Sequence, residues 1–228
     1  MDLARHLKAD QKYVEARAID RWIVGVDLGQ STDPTAICVM HHRVVPLDKW
    51  SPKGGNLWRQ ERSEHFDIRH LERLPLGMSY PAQVQHVANI LARPPLNEGA
   101  NLVIDETGVG RPVGDLMDGA GLRPHRVTIT AGLEATQHGA RTFHVAKSLL
   151  ISGLDARLHT GELKIAAALS DAGALADELK DFQRKVSDAG RATYAARTGA
   201  HDDLVLCLAI ALWWATSGPT SSVEPLTI

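Results

Sequence analysis

Three short acidic signatures stand far apart in this chain of 228 residues. Val24-Gly25-Val26-Asp27-Leu28-Gly29 lies near the start. Leu102-Val103-Ile104-Asp105-Glu106-Thr107-Gly108-Val109-Gly110 lies in the middle, and His201-Asp202-Asp203-Leu204 precedes an apolar run near the end. Carboxylates held on rigid elements and brought together by folding suit hard divalent cations such as Mg²⁺ or Mn²⁺. Two such ions can run an in-line displacement at phosphorus. If the three signatures converge, the chemistry they point to is metal-assisted phosphodiester hydrolysis.

Each candidate has a plain alternative. Asp27 and Asp105 end apolar runs that read as buried strands. An unpaired carboxylate there costs on the order of several kcal/mol, which a bound cation offsets, as would backbone N–H groups of the following turn. Glu106 points to the opposite side from Asp105 if the strand continues, so a supporting or surface role is expected. Asp202 and Asp203 stand at a helix start, where Asp is a favoured cap. Being adjacent, they cannot point the same way, so one is expected to bind metal and the other to cap or support. Asp203 lies within the helical phase and is the better ligand candidate.

Around these acids, His201 suits a phosphate contact or a water, or a helix-start surface position. Asp33 precedes Pro34 and suits a turn, or reaches a second metal or the DNA. Lys147 reads as a helix-surface lysine, or as a group orienting scissile phosphate or water. Lys180, Arg184, Lys185, Arg191 and Arg197 form a basic cluster with spacing for phosphate contacts across a groove, or a solvated face. Trp50 and Trp58, among basic residues, suit flanking DNA or folding back as a staple.

The elements that must position these residues follow from pattern. Residues 1–21 read as a leader or linker helix, 22–216 as the folded domain and 217–228 as a flexible tail. Apolar runs at 22–27, 35–40 and 102–105 read as strands, as do the alternating stretch 65–71 and residues 126–130 and 163–165. Residues 191–196 suit a short edge strand. Residues 46–62, with Pro46, Pro52, Gly54 and Gly55, read as loop, and so do 131–142. Helices are expected from Tyr80-Pro81 to before Pro94-Pro95, then over 111–119, 144–158, 175–185 and 201–215. Early strands on short links imply an antiparallel meander, and later alternation with helices implies parallel crossovers. The fold class is therefore α/β, a mixed sheet with helices on both faces.

Composition excludes more than it identifies. Hydrophobic residues make up 44% of the chain and the formal net charge is -2. There is thus no global electrostatic pull on nucleic acid, and any DNA surface must be local. Cys38 and Cys207 lie in apolar runs, which fits buried reduced thiols rather than a disulfide framework. No zinc spacing, signal peptide or membrane-length apolar run is present.

The element order, with acids at those three points, resembles the ribonuclease-H-like superfamily, and within it the nuclease domain of the large terminase subunit of tailed bacteriophages. The resemblance is carried by Val26-Asp27 with Asp33 soon after, by Asp105-Glu106-Thr107-Gly108-Val109-Gly110, and by His201-Asp202-Asp203. The middle motif is the most specific. The likeness spans residues 22–215. It implies an Mg²⁺- or Mn²⁺-dependent endonuclease that cuts double-stranded DNA during viral genome packaging, in the cytoplasm of a bacterial host. Asp27 would bridge two ions, Asp105 would hold one, and Asp203 or Asp202 the other. The implied partners are a packaging ATPase, a small terminase subunit and a portal protein. Large terminases also carry a Walker A loop, and no G-x-x-x-x-G-K-[ST] occurs here, so the likeness is to the nuclease half alone. Many relatives place a further acid one turn after the Asp pair, where this chain has Leu206.

Three rival readings share some of these features. A Holliday-junction resolvase-like nuclease has the same fold and acids. Actin-like or sugar-kinase-like ATPases use similar Asp-x-Gly and Asp-x-Thr-Gly loops, but in longer, two-domain chains. A non-catalytic DNA-binding assembly module would keep the surface and lack the chemistry.

Overall fold

The computed structural model describes residues 12–29, 33–108, 111–181, 183–186, 192–195 and 201–217. One large sheet runs through it. Strands β1 (Lys12–Val14), β2 (Ile19–Asp27), β3 (Ala36–Pro52), β4 (Leu57–Arg73), β5 (Asn101–Asp105), β6 (His125–Thr130), β7 (Ala135–Gly139) and β8 (Thr142–Ala146) lie in the order β1-β4-β3-β2-β5-β6-β8-β7. A short β9 (Leu163–Ile165) pairs in parallel with β4. Strands β2, β3 and β4 are antiparallel neighbours. Strands β2, β5, β6 and β8 run parallel, and β7 turns back along β8. The expected mixed sheet, meander first and crossovers after, is what forms.

The helices are α1 (Tyr80–Leu91), α2 (Arg111–Gly119), α3 (Lys147–His159), α4 (Ala172–Asp181) and α5 (Asp203–Ser217). The two faces of the sheet are sorted by strand alternation. Ile23, Cys38, Met40 and Val103 share a core with Leu150 and Leu154 of α3, Leu175 of α4 and the whole apolar body of α5. Val24, Val26, Ile37, Val39, Leu102 and Ile104 meet Val84, Val87 and Ile90 of α1 and Val113 and Met117 of α2 on the other side.

Helix α5 is nearly apolar all round, and residues 203–215 are buried, as expected of a helix enclosed by its neighbours. It lies directly on β2. A Cβ added to Gly25 would sit 2.2 Å from the Cys207 carbonyl oxygen and 2.9 Å from the Ala211 Cβ. The absence of a side chain at Gly25 therefore sets the depth of α5. Cys38 and Cys207 are free and buried, with Cys38 Sγ donating to the Cys207 carbonyl at 3.3 Å. Among the described residues no helix is long and apolar enough to cross a membrane.

Several expected elements are corrected. Residues 12–21, expected in a leader helix, hold β1 and the start of β2. The expected loop 46–62 is instead the outer part of a long β3–β4 hairpin. Its prolines are tolerated because Pro46 sits at a register shift and Pro52 ends its strand. Residues 135–139 form an exposed edge strand where a loop was expected. His144 and Val145 belong to β8, so the helix starts only at Lys147. The helix expected over 175–185 ends at Asp181, and Gln183–Val186 forms β10, which pairs with β11 (Ala192–Ala195) in a separate two-stranded sheet.

Candidate active site

The sheet delivers two carboxylates to one place. Asp27 and Asp105 are register partners at the carboxyl ends of parallel neighbours β2 and β5. Asp27 is in phase with Ile23 and Gly25, and Asp105 with Val103, so both side chains rise on the α5 side. Glu106 takes the opposite face. It pairs with Arg126 at 3.3 Å, and a Cβ on Gly114 of α2 would fall 2.1 Å from its Oε1. Glu106 therefore packs against α2, on the face of the sheet away from Asp27 and Asp105.

Asp105 is held by the turn that follows it. The Thr107 backbone N–H donates to Asp105 Oδ1 at 2.8 Å, and the Thr107 hydroxyl donates to the same oxygen. The hydroxyl oxygen in turn accepts from the Ile129 N–H at 2.7 Å, tying the turn to β6. Thr107 lies within the middle motif, and its hydroxyl contact to Asp105 depends on a turn geometry that residue spacing does not reveal.

The acidic helix start is arranged differently from the sequence expectation. Asp202 is the N-cap by backbone, its carbonyl accepting from Leu206 N at 2.9 Å. Its side chain does not cap. It receives the Lys147 ammonium at 2.8 Å. The cap comes from α4, where buried Glu178 accepts the Val205 N–H at 2.9 Å. Neither Asp of the pair is thus spent on capping. Asp203 is buried, with His201 Nδ1 at 3.6 Å and Arg73 Nε at 3.4 Å from Oδ2. These are ion-pair distances, and Asp203 Oδ2 has no hydrogen-bond partner among the described residues.

Electrostatics ties the acids together. Burial pushes the Asp27 carboxyl well above the usual range, and repulsion from Asp105, Asp203 and Asp202 adds to it, with Lys147 pulling the other way. Burial also raises Asp105, against the Thr107 hydrogen bonds and Lys147. Asp203 is raised by burial, opposed by Arg73 and His201. Lys147, at the first position of α3, thus turns its ammonium toward the acids and pairs with Asp202. No hydrogen bond or ion pair reaches the Asp27 carboxylate among the described residues.

This donor set fits a hard divalent cation. It is all oxygen, rich in negative charge that repels itself, and it includes a buried carboxylate oxygen without a hydrogen bond. Among the described residues no three His, Cys, Asp or Glu side chains stand as a ready ligand shell. Asp105 is engaged by Thr107 and Asp202 by Lys147, while Arg73 and His201 stand at ion-pair distance from Asp203 without a hydrogen bond to its Oδ2.

Other expected residues lie further out. Asp33 is exposed in a bend after β2 and adds to the repulsion felt by Asp203. Lys180 is exposed and pairs with Asp177 at 2.9 Å. Arg184 and Lys185 lie on β10, with their side chains outside the description, and Arg191 and Arg197 lie outside the described residues. Trp50 packs edge-on against Tyr13, with ring centroids 5.6 Å apart.

Parallel β2 and β5 ending in paired acids, with an acidic helix seated on the meander, make a mixed α/β fold that is shared by solved large terminase nucleases. The solved large terminase nuclease of thermophilic phage G20c with bound magnesium superposes with a TM-score of 0.58, at 22% identity over 89% of this chain and 84% of that one. The nuclease domain of Thermus phage P74-26 large terminase gives 0.56 at 19% identity over 87% and 81%. The human cytomegalovirus terminase nuclease domain, soaked with manganese, gives 0.50 at 11% over 100% and 99%. At these identities the likeness is one of fold. No family model matches the chain, and no curated sequence does.

Proposed function

We propose that this chain is a divalent-metal-dependent endonuclease that hydrolyses phosphodiester bonds of double-stranded DNA, in the setting of viral genome packaging. The observation that carries this reading is the register pairing of Asp27 with Asp105 beneath the Asp202–Asp203 helix start. The fold likeness to terminase nucleases supports it.

Asp27, Asp105 and Asp203 are the residues proposed to hold two Mg²⁺ or Mn²⁺ ions, with Asp202 as a further oxygen donor. When bound, such ions supply Lewis-acid activation of water and charge compensation at the departing 3′ oxygen. Thr107 fixes the Asp105 carboxylate so that its second oxygen stays available. Lys147 balances the acids and offers an ammonium to a scissile phosphate oxygen once Asp202 releases it. His201, exposed at the helix start, stands where it can meet a phosphate. The proposed chemistry uses no protein nucleophile, and both cysteines are buried. The proposed DNA surface is the basic set Lys180, Arg184, Lys185, Arg191 and Arg197. The proposed partners are a packaging ATPase, a small terminase subunit and a portal protein.

The test is plasmid nicking and linearisation with Mg²⁺, Mn²⁺ or EDTA. Wild-type cutting in either metal and none in EDTA is expected. Folded Asp27→Ala and Asp105→Ala proteins should lose activity by more than about 100-fold. Undiminished cutting by either variant removes the site assignment. A strong preference for four-way junctions over linear duplex would move the chain to the resolvase class.

A further inference from the structure

The Asp202–Asp203 helix start is held by a side chain from another helix. Glu178 of α4 is buried, and its two oxygens do different things. Oε2 accepts the Val205 N–H at 2.9 Å, and Oε1 accepts Arg73 Nη2. Arg73 is itself anchored at the end of β4, where its backbone N–H donates to Asp171 Oδ2 at 3.0 Å. Its guanidinium thus reaches Asp203 only through Nε, at 3.4 Å, and neither Nε nor Asp203 Oδ2 gains a hydrogen bond. A free arginine beside a buried carboxylate would swing into a two-pronged hydrogen-bonded pair. Here a second carboxylate keeps it from doing so.

We propose that Glu178 is a positioning residue for metal binding, which detains Arg73 so that Asp203 remains open to a divalent cation. This rests on the metal reading of the Asp27–Asp105–Asp203 site. In this arrangement Arg73 lowers the cost of burying Asp203 without occupying it. The Glu178–Arg73 contact decides whether the guanidinium or a metal ion holds the carboxylate. Loss of the Glu178 charge both frees Arg73 and makes the site more positive, and both effects oppose a cation.

The substitution Glu178→Gln separates this role from the structural one. The amide keeps an oxygen for Val205 N–H and loses the charge that holds Arg73. Mn²⁺ binding to the purified chain is followed by calorimetry, with thermal melting in EDTA as the control for folding. Glu178→Gln is expected to melt near wild type and to bind Mn²⁺ about tenfold more weakly, within the range by which outer partners of metal ligands act. Adding Arg73→Ala to Glu178→Gln should restore Mn²⁺ affinity to wild type or better, because the competitor is gone. A merely structural Glu178 would give a double variant weaker than the single. Wild-type binding that depends on Asp27, together with unchanged binding by Glu178→Gln or no rescue by Arg73→Ala, overturns this proposal alone. Absence of Asp27-dependent Mn²⁺ binding in the wild-type chain overturns the metal reading and this proposal with it.

Discussion

Asp27 and Asp105 stand opposite each other as register partners on adjacent parallel strands, both raised toward the α5 face of the sheet. Parallel neighbours lie roughly 4.8 Å apart, so the half-buried Asp27 and buried Asp105 carboxylates at one rung repel at short range. That arrangement is costly unless something positive answers it. Lys147 supplies part of the answer from the start of α3.

The cost is measurable. Asp27→Asn removes one carboxylate, keeps the shape and ends the repulsion with Asp105, Asp202 and Asp203. In EDTA at neutral pH the variant is expected to be more stable than wild type by about 1 kcal/mol, as happens when a strained functional group is relieved. Urea denaturation followed by circular dichroism checks this. An Asp27→Asn variant less stable than wild type would mean that the carboxylate is well satisfied by the fold.

Gly25 predicts a packing effect that propagates to the site. Its missing Cβ is replaced in space by the Cys207 carbonyl of α5, a backbone atom that cannot step aside. Gly25→Ala should therefore lift α5 from β2 at a cost of about 2 kcal/mol, lowering the melting temperature by roughly 5 °C. Nuclease activity should fall with it, because Asp202 and Asp203 ride on the displaced helix. Normal melting in Gly25→Ala would show that α5 is not seated as described.

Thr107 separates orientation from bulk. Thr107→Val keeps the volume but loses the hydroxyl that donates to Asp105 and accepts from Ile129 N–H. A loss of about 1 kcal/mol is expected, small because Ile129 N–H lies at an exposed site that water can serve. Cleavage should drop further than stability alone explains, and Thr107→Ser should recover it. Equal cleavage by the valine and serine variants would remove Thr107 from the site.

His125 gives the chain an acid-sensitive point away from the carboxylates. Its ring stacks on Trp214 of α5 with centroids 3.8 Å apart, and burial lowers its pKa to about 4, with Arg141 adding to the effect. The folded chain keeps His125 neutral while the unfolded chain protonates it near pH ~6.5. Its contribution is therefore fully present above pH ~6.5 and is lost as pH falls toward about 4. Wild type should lose melting temperature across this window, and His125→Phe should lose less. Parallel pH profiles for the two proteins would exclude His125 as the source.

The acidic strand ends, the buried final helix and the mixed sheet were readable from apolar runs of the right length ending in Asp. The opposite facing of Asp105 and Glu106 was readable too, since alternation along a strand is a local rule. The long β3–β4 hairpin was hidden by its prolines and glycines, which mark loops in general and here fall at a register break and at the tip. Strand β7 was hidden because its exposed residues carry no alternation. The spacing of Val145 to Leu149 matches a helical period as well as a strand end, so periodicity alone does not separate β8 from α3.

The chain's order of residues determined which carboxylates could serve a metal and on which elements they sit, because hydrophobic periodicity and turn chemistry act between near neighbours. Only the tertiary structure decided what each carboxylate touches. It gave Asp202 to Lys147, Asp203 to His201 and Arg73, and the capping of α5 to Glu178 on another helix. Apart from the local His201–Asp203 contact, those pairings join residues from different strands and helices, and the sheet order and the close seat of α5 on Gly25 bring them together. Charge and hydrogen bonding act through space, so they assign partners only after the core has packed.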